Sequence, residues 1–285
     1  MRLLSKSGVK SMGKTLKQAW GYVACRIYFL GEIMKRKEIG VVSASTSKVI
    51  DKNDPVHITA HRGFSGVAPE NTIPAFEKAC NEDYYAIECD VHLTKDEQWI
   101  ICHNTTIDKT CNGEGNISDY TLEELRNFKV TYGHGIENYP DLQLPTLDEY
   151  LDLCKKYNKV PEIEIKRDGY YDTRLTDIIA KLKERDLLEN AIIISFDINK
   201  LIKLQEYSPS TEYWYLVETI DNKGIEDAKK YGFAYAVCAS NKKSDFKRAI
   251  KTGLKVCVWT VDRLSKMEEL YKLGIRYITS NFITP

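Results

Sequence analysis

The chain has 285 residues, 43% of them hydrophobic, and 41 Lys and Arg balance 41 Asp and Glu, so its formal net charge is zero. That length can bury a large core and suits one main domain with an extension. The charge balance argues against a nucleic-acid partner, which needs a basic face. Eight cysteines without a C-x-x-C pair argue against a zinc site or a disulfide framework, and for reduced thiols in a cytoplasmic setting.

Residues 1–54 differ from the rest, with eleven Lys and Arg against four Asp and Glu. Leu16, Trp20, Val23, Ala24, Phe29, Leu30, Ile33 and Met34 recur at roughly helical spacing, and Lys35-Arg36-Lys37 closes the pattern. The segment reads as a basic amphipathic extension that ends in a polar linker, Ser43 to Asp54. Peripheral contact with an anionic membrane surface, packing on the main domain, and partial disorder all stay open. No apolar stretch approaches the ~18 residues of a spanning helix, and Arg26 interrupts any secretory signal.

From residue 55 to 285 strand and helix patterns alternate. A strand from His57 runs into His61-Arg62-Gly63, and a helix follows through Ala75, Phe76 and Ala79, with Asn71 or Thr72 as its cap and Pro74 in its first turn. Further strands are expected at Ala86–Thr94, Trp99–His103, Pro161–Lys166, Ala191–Phe196, Glu212–Val217, Tyr235–Ser240, Lys255–Val261 and Arg276–Ser280. Between them lie helical patterns at Leu122–Asn127, Thr146–Lys156, Thr173–Arg185, Asn199–Tyr207, Ile225–Tyr231, Ser244–Lys251 and Leu264–Leu273. Such alternation argues for parallel β/α units. Nine strands are one too many for an eightfold barrel, and the gap between Asp90 and Trp99 is too short for a crossover helix. An irregular connection between strands 2 and 3 is therefore expected, without showing which strand lies outside.

Side chains two apart in a strand share a face. This groups Glu88, Asp90 and His92 on one strand, and Glu162, Glu164 and Lys166 on another. Burying unpaired carboxylates costs roughly several kcal/mol each, so one divalent cation is the economical counter-charge. An all-oxygen donor set favours Mg2+ or Ca2+ over Zn2+. A solvated strand face with ordinary ion pairs is the alternative for either tripeptide alone. His61 and His103, both at strand ends near these acids, fit the acid and base of a phosphoryl-transfer site. His92 either joins the cation or is structural.

In order along the chain stand His61-Arg62-Gly63, Pro69-Glu70-Asn71-Thr72, Glu88-x-Asp90-Val91, Leu93-Thr94-Lys95-Asp96, His103, Glu164-Ile165-Lys166, Ser195-Phe196-Asp197 and Trp259-Thr260-Val261-Asp262. At these positions the chain resembles the glycerophosphodiester phosphodiesterase family, over roughly residues 56 to 285. The resemblance implies a TIM-barrel-like (β/α)8 enzyme that cleaves small glycerophosphodiesters to glycerol 3-phosphate and an alcohol. It implies metal ligands at Glu88, Asp90 and Glu164, an acid and base at His61 and His103, and phosphate contacts from Arg62 and Lys166. It also suggests attack by the substrate's own 2-hydroxyl, giving a cyclic phosphate that water opens. Which histidine acts first as base stays open.

Three positions depart from the family pattern. Asn104 stands where an Asp usually follows the second His, Glu162 stands where a polar amide is often seen, and Ile278-Thr279-Ser280-Asn281 replaces the usual Thr-Asp ending. Tyr132, His134 and Tyr139, in the loop Gly133–Pro145 and just before it, either line the mouth of the site or belong to a plain surface loop. The alternative readings of function are a lysophospholipase D-like action at a membrane surface and a catalytically silent barrel that binds phosphodiesters. Oligomeric state is not legible.

Overall fold

The computed structural model describes residues 23–28, 40–167 and 174–285. Strands are β1 (Val42–Ser43), β2 (His57–Ala60), β3 (Ala86–Leu93), β4 (Trp99–Ile101), β5 (Pro161–Ile165), β6 (Ile192–Ser195), β7 (Glu212–Val217), β8 (Ala234–Cys238), β9 (Val256–Trp259), β10 (Tyr277–Ser280) and β11 (Ile283–Thr284). The ladder runs β2-β10-β9-β8-β7-β6-β5-β3 and returns to β2, with every one of these pairings parallel. This is the expected TIM barrel, closed by eight strands. Helices such as Ile73–Cys80, Leu147–Tyr157, Leu175–Glu184 and Leu264–Lys272 cover its outside.

The ninth strand is β4, which pairs antiparallel with β3 through Val91 and Ile101, His92 and Ile100, and Leu93 and Trp99. Its turn is closed by the Thr94 N–H, which donates to the Gln98 carbonyl at 3.0 Å, with Glu97 left-handed at φ 58°. A hairpin needs only a few residues, whereas a parallel return needs a crossover. The irregular connection expected between strands 2 and 3 is this hairpin. It carries the chain back down beside β3, so that the Cys102 N–H donates to the Asp90 carbonyl at 3.0 Å. His103 therefore reaches the site from a descending strand and not from the upper end of a barrel strand.

Strands buried on both faces explain the near-continuous apolar runs. Ile87, Cys89, Val91, Ile163 and Ile165 face the helices, while Ile192, Ile194, Trp214, Leu216, Ala236 and Cys257 fill the barrel interior. On the β2, β3 and β5 side that filling gives way to Thr59, Glu88, Asp90, Glu162 and Glu164, all buried. The stretch after His103 packs around a small core of its own, which includes Ile107, Ile117, Leu125 and Val130.

The stretch 43–54, read from the sequence as a polar linker, lies against the barrel. β1 pairs with β11, Ser47 Oγ donates to Glu268 Oε1 at 2.7 Å, and Asp54 accepts two bonds from Arg276 at 2.6 and 2.8 Å. Of the amphipathic pattern from Leu16 to Met34, residues 23–28 are helical, and the rest lies outside the described residues. Among the described residues no helix is long and apolar enough to cross a membrane.

Tyr150 shows how the outer layer holds the strand that carries two of the acids. Its ring is fully buried and its hydroxyl donates to the Ile87 carbonyl of β3. Tyr150→Phe leaves that carbonyl short of a partner. We expect a loss of about 1–2 kcal/mol in denaturant unfolding with an unchanged m-value; an unaltered midpoint would mean the bond contributes nothing.

Candidate active site

The chain leaves β2 through an unusual backbone. Arg62 is left-handed at φ 57° and Gly63 follows at φ 72°, where a Cβ would lie 2.7 Å from the Ala75 backbone carbon. Only glycine allows this approach of loop to helix. The turn aims the Arg62 N–H at Glu88 Oε2, 2.7 Å away, while its guanidinium pairs with Glu70 at 2.7 Å and lies 3.5 Å from Asp90. Asn71, also left-handed at φ 57°, donates from Nδ2 to Asp90 Oδ2 at 2.7 Å and accepts the Asp90 N–H at 3.3 Å. Thr72 takes the N-cap position of the helix, but its hydroxyl donates to the Pro69 carbonyl. The expected side-chain cap is therefore absent, because Asn71 serves Asp90 instead.

Parallel register places Glu88 beside Glu162, and Asp90 beside Glu164. Oxygen atoms of Glu88, Asp90 and Glu164 all lie within 4.8 Å of one another. Glu88 Oε1 is buried without a hydrogen-bond partner. Three close carboxylates with one unsatisfied oxygen match the donor set of a hard divalent cation. Lys166 reaches Asp90 and, at 2.8 Å, Glu164.

The charges shift each other strongly. Burial, then Asp90 and Glu164, push the Glu88 carboxyl well above its ordinary value. Burial would raise Asp90 too, but Lys166, His103 and Arg62 hold it well below. Glu164 is raised by burial against the pull of Lys166. Burial disfavours the Lys166 cation, yet Asp90 and Glu164 outweigh it and keep the ammonium charged.

The two imidazoles meet side-chain amides. His61 Nδ1 lies 2.8 Å from Asn281 Oδ1, and His103 Nδ1 lies 2.9 Å from Asn104 Oδ1. An amide oxygen only accepts, so Nδ1 carries the proton in both rings and Nε2 holds the lone pair. Asn281 is itself fixed, since its backbone N–H and its Nδ2 both donate to Asp262 at 2.8 Å. Burial, then Arg62 and Lys166, hold His103 well below the ordinary histidine range. His92 Nε2 lies 3.4 Å from the His103 carbonyl, which places it behind that residue and outside the acid trio. All seven residues singled out from the sequence, His61, Arg62, Glu88, Asp90, His103, Glu164 and Lys166, thus occupy one end of the barrel.

A cavity of about 310 Å3 opens beside Glu70 and Asn281, lined also by Tyr132, His134 and Phe282. Tyr139 is not part of that lining. A larger surface cavity, about 380 Å3, lies at the opposite barrel end among Thr211, Phe233 and Lys255, far from the acids.

Residues 61–284 match the glycerophosphoryl diester phosphodiesterase family. The chain belongs to that family. A glycerophosphodiester phosphodiesterase of Caldanaerobacter subterraneus subsp. tengcongensis is 31% identical over 230 residues, covering 76% of this chain and 90% of the relative. One from Bacillus subtilis is 28% identical over 260 residues, covering 85% and 88%. Among solved structures, an Oleispira antarctica phosphodiesterase in complex with the product sn-glycerol-3-phosphate is 24% identical. It superposes with a TM-score of 0.73 over 85% of this chain and 96% of that one.

Within this phosphodiesterase, several site residues escaped the sequence reading. Asn281 and Asp262 support His61, yet Asn281 was read only as a departure from the family ending. Glu70 and Asn71 stand in the Pro69-Glu70-Asn71-Thr72 match, and the sequence points to Asn71 only as a helix cap. Ser195 Oγ donates to the Ile165 carbonyl at 2.7 Å, and the buried Lys200 ammonium donates to the Lys166 carbonyl at 2.7 Å, so both brace the Glu164 strand end. The Ser195-Phe196-Asp197 motif was the available signal for the first; Lys200 had none.

Glu162 lies below the trio and accepts from Thr59 Oγ1 at 3.0 Å. Burial pushes its carboxyl from 4.5 up to about 8 despite that bond. A raised value means the folded state holds the proton more tightly. Its stabilising contribution is full below the unfolded value and is lost as pH climbs through 8. Glu162→Gln keeps the shape but has no such proton. Between about pH 6 and pH 8.5 the urea midpoint of the cation-free protein should fall more steeply in wild type than in Glu162→Gln; parallel profiles would remove this role.

Proposed function

We propose that this chain hydrolyses glycerophosphodiesters to sn-glycerol 3-phosphate and an alcohol. In this reading His61 and His103 are the acid-base pair, and Glu88, Asp90 and Glu164 hold one divalent cation, Mg2+ or Ca2+. The observation that carries it is the convergence of two imidazoles, Arg62, Lys166 and three carboxylates at one barrel end. The names of the relatives above and the product held by the Oleispira structure support the same substrate class.

The roles follow from the contacts. Arg62 offers a planar fork to phosphate oxygens, and Lys166 a compact charge. When bound, a divalent cation supplies further neutralising charge to the phosphate oxygens. One imidazole takes the proton of the attacking 2-hydroxyl through Nε2, while the other, entering as the imidazolium with a second proton on Nε2, gives that proton to the leaving oxygen. The rings exchange tasks when water opens the cyclic phosphate. A bound diester also offsets the positive charge of Arg62 and Lys166 around His103, so substrate raises that ring's basicity. The alcohol portion has room in the cavity lined by Tyr132, His134 and Phe282.

His61→Ala and His103→Ala should each lower turnover of glycerophosphocholine about 10²–10⁴-fold, with thermal unfolding unchanged. Lysophosphatidylcholine serves as the competing substrate, and released choline is the readout for both. A fully active double variant would end the assignment.

Chelation should abolish turnover, and Mg2+ or Ca2+ should restore it. Calorimetric titration of the cation should show one site in wild type and lose it in Glu88→Gln. Full activity after exhaustive chelation would remove the cation from this reading.

A further inference from the structure

Cys25, in the helical segment 23–28, and Cys238, the last residue of β8, bring their sulfur atoms to 2.8 Å across 213 residues of sequence. Both side chains are buried, and Ser240 Oγ donates to Cys238 Sγ at 3.1 Å. Cys25 lies outside the residues matched to the family. Around the barrel, β8 stands four strands from β3 in either direction. The sulfur pair therefore sits on the strand-end rim across the mouth from Glu88 and Asp90.

We infer that Cys25 and Cys238 form a reversible dithiol site that takes a small-molecule disulfide as oxidant, and that the resulting bond clasps the N-terminal helix to the catalytic rim. The hydrogen bond from Cys25, helped by Ser240, lowers the Cys238 thiol, and the same bond with burial keeps the proton on Cys25. Burial instead raises Cys80 and Cys102 to about 11, and Cys111 to about 12, so these remain protonated and inert. When the helix lifts, Cys238 becomes accessible while Ser240 still donates to its sulfur, and the Cys238 thiolate attacks one sulfur of oxidised glutathione. The S–S bond breaks, and one glutathione leaves as a thiolate and takes up a proton. Cys25 then attacks the Cys238 sulfur of the mixed disulfide, gives up its own proton and displaces the second glutathione. Two protein thiols lose two electrons, and one disulfide becomes two thiols.

The test treats the folded full chain with oxidised glutathione, alkylates it with N-ethylmaleimide and maps its peptides. The Cys25 and Cys238 peptides should appear joined, about 2 Da lighter than the two free thiols together, and dithiothreitol should separate them. Cys25→Ser should lose this product and leave Cys238 carrying glutathione. In a second readout, limited trypsin cuts after the exposed Arg26. The piece ending at Arg26 should stay with the barrel on a non-reducing gel of oxidised wild type, and come away in Cys25→Ser. Alkylation of both sulfurs after oxidation, or a bond from Cys25 to a different cysteine, would overturn the inference.

Discussion

The structure depends on the placement of like charges side by side inside a barrel. Parallel register sets Glu88 against Glu162 and Asp90 against Glu164. Adjacent like charges on paired strands oppose each other, and burial removes the water that would screen them. The fold tolerates this because Lys166 and the Arg62 turn enter the same space, and because Glu162 can hold its proton. What remains uncompensated is concentrated on Glu88, with one oxygen that no protein group satisfies. A cavity that cannot neutralise its own acids is one that a cation stabilises.

Around this charge cluster the backbone is held in sparsely populated conformations. Arg62 and Asn71 both adopt positive φ, and each then spends a polar group on an acid. Such residues cost of order 1 kcal/mol or more each and persist where their surroundings over-determine them. Here the surroundings are the contact of Gly63 with Ala75 and the paired bonds between Asn71 and Asp90. The loop is thus shaped by the helix below and the acids beside it.

Periodicity made much of this legible. Alternation within Ala86–Thr94 and Pro161–Lys166 separated the acids from the isoleucines facing the helices, and β/α alternation announced a parallel sheet. The short gap before Trp99 showed that one connection was irregular. It could not show that β4 was the strand outside, because only hydrogen bonding distinguishes a hairpin arm from a barrel strand. Long-range polar partners were hidden for the same reason. Asn281 meets His61 across 220 residues, and Arg276 meets Asp54 across 222, so no local spacing encodes either. The polar composition of 43–54 suggested a linker, yet Ser47 pairs with Glu268 on the last helix and Asp54 with Arg276 just before β10.

Closure of the barrel and orientation of the His61 ring are the same event on one side. The His61 N–H donates to the Ser280 carbonyl at the end of β10, and its ring meets Asn281 one residue later. Asp262, just beyond β9, holds the amide of Asn281 in the sense that presents its oxygen. Barrel strands β2, β10 and β9 must therefore all be seated before His61 has a defined tautomer. His103 instead meets its neighbour Asn104 and is carried by the β3 hairpin, both close in sequence. One ring is ordered by local structure and the other by completion of the ring of strands, so the pair assembles only in the fully closed fold.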